Sequence, residues 1–321
     1  MRIGLLRESG GLGDIVMTGG VVRRLKEEGH NIFFLGFKEY QDAVTHIGYD
    51  GMFELDPNIR SRRRDRADIT PVYNSDYECL QWLPLDKIYS LFCPGYTHES
   101  IAVRRLSPIT INRVEAFQVA CGYVKDFVRQ KWTCTKEELE IAQRWIDYRG
   151  IKNEKLITMH LRATDVARSY VKHKALHIAL KEKGYYPVVV DSINIDDYKD
   201  LDTFIWREPL WLKVAIMQLS RAFIGVDSGF FHIACGLGLD TYSLWGPTNA
   251  EQTTKLYETN TSIKISTYDE STHIGIPKAD EHGIACKPPC IHSPEMCRKR
   301  TGCKYLNDIE ITDIINILEK K

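Results

Sequence analysis

The sequence predicts an α/β protein of two Rossmann-like domains, the first over residues 1–150 and the second over 151–321. Three observations carry this expectation. The stretch Ala222–Glu251 reads as strand, small polar turn, helix, strand and glycine turn, which is the order of elements in a parallel α/β sheet. Both halves of the chain open on strand, loop, helix, strand. Between them, Gly150 ends a helical pattern and the polar run Ile151–Lys155 reads as a connection.

Ile3–Leu6 is expected as the first strand, followed by the loop Arg7–Asp14 and a helix from about Ile15 to Glu28. Asn31–Phe37 supplies the second strand, and Leu85–Phe92 a later one. The glycines at 10, 11 and 13 do not form a G-x-G-x-x-G frame, which weakens a dinucleotide-dehydrogenase reading. Thr135 and Glu138 have capping-box spacing ahead of a helix with Leu139, Ala142 and Ile146 on one stripe. In the second half, strands are expected at Leu156–Leu161, Tyr186–Val190 and Thr203–Trp206, with helices near 172–183 and 211–219. Thr312–Lys321 reads as a closing helix.

The 43 basic and 43 acidic residues balance, so composition does not favour a nucleic-acid-coating surface. No run reaches the roughly 18 apolar residues of a membrane span, and the amino terminus lacks a signal-peptide core. A cytoplasmic protein is the expectation. The nine cysteines do not suggest a secreted disulfide framework. Four of them, Cys286, Cys290, Cys297 and Cys303, crowd together near the end. They fit either reduced thiols or a structural zinc or iron site. Arg60, Arg62, Arg63, Arg64 and Arg66 form a basic cluster, either a solvated loop or a contact for phosphate groups on an acceptor.

Chemistry-bearing residues gather at four turns. Asp14 follows Gly13 at the start of the first helix, where it serves as a helix cap, as a base toward a hydroxyl, or as both. Arg162, Thr164 and Arg168 occupy the loop after the first strand of the second half and are suited to a diphosphate. Asp227, Ser228 and Gly229 precede a helix whose amino-terminal N–H groups suit a phosphate, with His232 in its first turn. Asp227 also has a capping reading, and His232 a structural one. Gly246, Pro247 and Thr248 form the turn after the next strand. Asp200-Leu201-Asp202 is poor support for a metal–nucleotide site.

The string DSGFFHIACGLGLDTYSLWGPTNAE resembles the donor-site signature of glycosyltransferase family 9, the lipopolysaccharide heptosyltransferases. GLGDIVMTGGVVRRLKE resembles that family's first loop and helix, and CKPPCIHSPEMCRKRTGC resembles the tail of the heptosyltransferase II branch. Related autotransporter heptosyltransferases bind iron through four cysteines. Arg162 or Arg168 stands where the family tends to offer a lysine. The resemblance implies a GT-B fold, with two Rossmann-like domains facing across a cleft. It implies an inverting, metal-independent transfer from a nucleotide-diphospho-sugar such as ADP-heptose, with Asp14 as the base. The acceptor would be a glycan, glycolipid or protein, and a lipopolysaccharide acceptor would bring the chain to the inner leaflet of the membrane. Two other functions remain open from the sequence. A nucleotide-sugar epimerase of the same fold would convert the donor without an acceptor. A non-catalytic nucleotide-sugar-binding module would bind the donor without turnover.

Overall fold

A computed structural model describes residues 1–7, 10–55, 80, 82–91, 112–164, 166–191, 195–198, 201, 203–205, 207–265 and 302–320. The chain divides into two compact units, Met1–Thr133 and Cys134–Lys321. The sequence places this division near 150. The helix Lys136–Tyr148 accounts for the difference, because it packs on Leu210–Gln218 of the second unit. Its capping box forms as expected: Thr135 Oγ1 accepts from Glu138 N–H at 3.2 Å, and Glu138 accepts from Thr135 N–H at 2.7 Å.

In the first unit, β1 (Arg2–Leu6), β2 (Asn31–Gly36), β3 (Gly51–Glu54) and β4 (Lys87–Ser90) form a parallel sheet in the order β3-β2-β1-β4. Ile3, Leu5, Ile32, Phe34 and Leu35 are buried, as expected of strands covered on both faces. The single expected helix is two, α1 (Leu12–Met17) and α2 (Gly19–Glu27). Thr18 marks the junction. Its hydroxyl bonds back to Ile15 O at 2.7 Å and meets the Tyr49 hydroxyl at 2.8 Å, competing with the regular helical ladder. α3 (Gln41–His46) and α4 (Arg113–Ala120) complete the part of this unit that matters for the site.

The second unit begins with α5 (Lys136–Tyr148) and holds six parallel strands. They are β5 (Leu156–His160), β6 (Tyr186–Val190), β7 (Phe204–Ile205), β8 (Ala222–Val226), β9 (Thr241–Leu244) and β10 (Asn260–Ile263). Their order is β10-β9-β8-β5-β6-β7. Besides the short helix Ile195–Tyr198, the helices used below are α6 (His173–Glu182), α7 (Leu210–Gln218), α8 (Gly229–Leu237), α9 (Ala250–Thr254), α10 (Lys304–Asn307) and α11 (Ile311–Glu319). Ile157, Met159, Ile224 and Val226 of the central strands share a core with Leu176 and Leu180 of α6 and Ile314 and Leu318 of α11. The expected closing helix therefore has a place to pack.

Strand order reverses once in each unit among the described residues, between β1 and β4 and between β5 and β8. Open parallel sheets bind ligands beyond the carboxyl ends of their strands at such reversals, where neighbouring connections leave on opposite faces. Asp14 belongs to the connection leaving β1. The 161–168 loop leaves β5, and Asp227-Ser228-Gly229 leaves β8.

Candidate functional site

At the reversal in the first unit, Arg7 follows β1 directly. Its N–H is held by Leu35 O at 3.0 Å, and its guanidinium donates to Leu91 O at 2.9 Å, just past β4. The side chain is only 2% exposed and lies over the Phe117 ring at 5.1 Å. Arg7 Nη2 comes within 3.8 Å of Asp14 Oδ1, which also pairs with Arg113. Asp14 Oδ2 accepts the Gly11 N–H at 2.9 Å. Gly11, rather than Asp14, is the cap residue of α1, because the helix starts at Leu12. Asp14 occupies the third helical position and reaches back to the cap's amide, so the capping reading holds in altered form.

This geometry leaves the Asp14 carboxylate 14% exposed, with Gly11 and Arg113 donating to it and the Arg7 charge nearby, so acceptor directions remain for a further proton. Gly10 shapes the approach. Its φ is +108°, and a Cβ there would lie 2.5 Å from Asp14 Oδ2. Neither arginine was singled out from the sequence. Arg113 is 99 residues from Asp14 and is delivered by α4, whose Asn112 cap accepts from Val114 N–H at 2.7 Å.

In the second unit, four of the expected residues converge. Arg168 donates to Asp227 O at 3.2 Å and lies 3.6 Å from Asp227 Oδ2. His232 Nε2 is 3.7 Å from Asp227 Oδ1, and its Nδ1 meets the Tyr257 hydroxyl at 2.8 Å. If Nδ1 accepts the Tyr257 proton, Nε2–H faces Asp227. Burial alone would raise the Asp227 pKa. The His232 hydrogen bond, the Arg168 charge and the Thr248 hydroxyl outweigh it and hold the carboxyl well below its usual range. The capping reading of Asp227 does not hold, because Ser228 is the cap and the Asp227 carboxylate faces Arg168 and His232 instead; His232 is buried, in keeping with its structural reading.

Ser228 caps α8, with its Oγ accepting from Phe231 N–H at 3.4 Å. The first amides of α8, Gly229 N–H among them, have no partner within the helix and lie at the positive end of its dipole. Gly246, Pro247 and Thr248 are buried beside them. Arg162 is half-buried and Thr164 exposed, and the bonds to Asp227 come from Arg168. The arginine cluster Arg60, Arg62, Arg63 and Arg64 lies outside the described residues, as do Cys286, Cys290 and Cys297. Cys303 is described and buried. Among the described residues, no three His, Cys, Asp or Glu side chains are placed to hold a metal ion.

A further polar group borders this site. His160, the last residue of β5, lies 3.8 Å from Asp191 and 4.9 Å from the Phe230 ring. Lys213 of α7 donates to Asp191 O at 2.8 Å. Burial pushes the His160 imidazole down against the pull of Asp191, and burial likewise lowers the Lys213 ammonium. These groups join three separate elements, so spacing along the sequence gives no sign of them.

Asp227→Asn is expected to cost roughly 3–5 kcal/mol at neutral pH, because it strands buried partners of a carboxylate. The Asp227 pKa falls on folding from its ordinary 3.8, so its stabilisation is complete above that value and is lost as pH falls. Denaturant titrations should show a constant gap between wild type and variant from about pH 8 to about pH 5, narrowing below about pH 4. A gap that closes near neutrality would contradict this assignment.

Known proteins resemble this chain in one segment of its sequence and in its fold. Residues 212–282 match the model of glycosyltransferase family 9 (heptosyltransferase). No curated protein matches the chain by sequence. Among solved structures, the chain is similar to Escherichia coli ADP-heptose lps heptosyltransferase II, at 15% identity and a TM-score of 0.67, covering 100% of this chain and 98% of that one. A family 9 glycosyltransferase from Veillonella parvula gives a TM-score of 0.60 at 15% identity, covering 82% and 85%. The iron-containing dodecameric glycosyltransferase TibC of enterotoxigenic E. coli gives 0.58 at 13%, covering 100% and 78%. At these identities the structures establish the fold, which is of the GT-B type. The matched segment runs from α7 through β8, α8 and the Gly246 turn. The stretch holding Asp227 and the start of α8 therefore lies within the segment that matches family 9, and the chain is a glycosyltransferase with the fold of the heptosyltransferases.

Proposed function

We propose that this glycosyltransferase moves a sugar from a nucleotide-diphospho-sugar to an acceptor hydroxyl with inversion at the anomeric carbon and without a catalytic metal. The observation that carries the donor assignment is the convergence of Arg168, Asp227 and the start of α8 at the β5–β8 reversal, the last two within the segment matched to family 9. Arg168 and the first amides of α8 face the departing diphosphate, and their fixed positive charge grows in value as negative charge develops on it. Arg162, Thr164, Ser228, Gly229 and Thr248 complete the donor contacts.

Asp14 takes the acceptor's proton as the acceptor oxygen bonds to the anomeric carbon and the carbon–diphosphate bond breaks. Its partial exposure at the β1–β4 reversal supports that role. Arg7 and Arg113 hold the carboxylate in place. ADP-heptose is the first donor to test, and lipopolysaccharide-type glycolipid the first acceptor, because the Escherichia coli ADP-heptose lps heptosyltransferase II, whose fold this chain shares, bears those names. Work on such an acceptor would place the enzyme at the cytoplasmic face of the inner membrane, as a peripheral protein. No helix of the described residues is long and apolar enough to cross a membrane.

A thermal-shift screen of ADP-, UDP-, GDP- and CMP-linked sugars tests the reading, followed by mass spectrometry of the product. A rise in melting temperature with an ADP-linked sugar, and an acceptor gaining one sugar mass, is the expected result. Conversion of the donor to its epimer without an acceptor would overturn it.

A further inference from the structure

The segment Gly302–Glu310, which includes Cys303, the last cysteine of the cysteine-rich stretch, touches both loops that converge on Asp227. On one side, α10 packs against the turn after β9. A Cβ at Gly246 would lie 2.6 Å from Leu306 Cβ, 3.0 Å from Leu306 N and 3.1 Å from Cys303 Sγ. The turn and α10 therefore meet almost backbone to backbone, and Leu306 and Cys303 are both buried.

On the other side, the same segment grips the foot of the loop that carries Arg168. Asn307 Oδ1 accepts the Val171 N–H at 2.8 Å, and the Tyr170 hydroxyl donates to Ile309 O at 2.8 Å. Lys172 Nζ reaches Ile309 O at 3.3 Å and Glu310 at 2.8 Å. Above this foot the loop is already closed. Tyr170 N–H bonds to Leu161 O at 2.8 Å, and Ser169 Oγ bonds to Ala163 N and O at 3.1 and 3.2 Å. The two arms then meet: Arg168 reaches Asp227 from the closed loop, and Thr248 reaches it from the Gly246 turn.

We propose that Gly302–Glu310 is a brace that fixes the spacing of the two loops, and that Asn307 is a positioning residue for nucleoside diphosphate binding. This rests on the donor-site reading above. Fixed donors bind a diphosphate well only when their spacing matches it, and misplacement by about 1 Å costs up to about a hundredfold in rate. Asn307 has no bond to Asp227, Arg168 or Thr248. Its effect is therefore expected in donor affinity, with turnover at saturating donor lowered as well, because the same loops face the departing diphosphate.

Two variants separate positioning from general stability. Asn307→Leu removes the acceptor for Val171 N–H, and Asn307→Asp retains it. Calorimetric titration with ADP is expected to show affinity weakened on the order of tenfold in Asn307→Leu and restored to within about twofold in Asn307→Asp. Both variants should melt with the wild-type protein. Wild-type affinity in Asn307→Leu, or equal weakness in both variants, would overturn the brace. If the wild-type protein binds no ADP, the donor-site reading fails, and amide exchange without ligand decides the brace separately. Faster exchange at 162–171 and 246–248 in Asn307→Leu would support it, and unchanged exchange would overturn it.

Discussion

Asp14→Asn is expected to lower sugar transfer by about 10²–10⁴-fold while leaving ADP affinity within about twofold of wild type. Asparagine is nearly isosteric and can still accept the Gly11 N–H, but it cannot take up a proton from an attacking hydroxyl. The variant also removes the charge partner of Arg7, which is 2% exposed, so a lower melting temperature is expected with the lost rate. Gly10→Ala separates the two effects, because it keeps the charge and moves the group. A methyl 2.5 Å from Asp14 Oδ2, on a residue with φ of +108°, forces the carboxylate or the loop to shift. Transfer should fall in Gly10→Ala as well, again with ADP affinity retained. Wild-type turnover in Asp14→Asn would remove Asp14 from the chemistry and leave it as a structural anchor for two arginines.

Arg168→Met is expected to reduce transfer by about 10²–10³-fold and to weaken ADP binding, because it removes a preorganised cation from the leaving diphosphate. Methionine keeps much of the side-chain volume, so the packing of the 161–170 loop should survive. Arg168→Lys should recover part of the loss, since the charge remains but the guanidinium Nη1 that donates to Asp227 O and faces Oδ2 does not. Arg162→Met provides the comparison. A larger loss in Arg162→Met than in Arg168→Met would transfer the diphosphate role to Arg162. ADP titration of the three variants, beside their melting temperatures, makes the measurement.

Much of the fold was legible because parallel strands buried on both faces are continuous apolar runs. The apolar run Phe223–Val226 lies within β8, the run Thr241–Trp245 covers β9 and one residue more, and the helix between them, read as Phe230–Leu237, ends at Leu237. Asp227, Ser228 and Gly229 were legible for a related reason: a strand that ends in small polar residues before a helix leaves few other geometries. What escaped the sequence was set by contacts distant along the chain. The break at Thr18 depends on Tyr49, 31 residues on, and the Asp14 site depends on Arg113. The helix Lys136–Tyr148 has unambiguous caps, but only its packing on α7 assigns it to the second unit. Likewise, His160, Asp191 and Lys213 come from β5, the end of β6 and α7, so no local pattern announces them.

The central claim is that the second unit's β5–β8 reversal is the diphosphate site. Amide hydrogen exchange with and without saturating ADP tests it most directly. The expected result is slowed exchange at the 161–170 loop, at 228–232 in the first turn of α8 and at the Gly246–Thr248 turn. ADP bound at saturation with no protection in any of these three segments would contradict it.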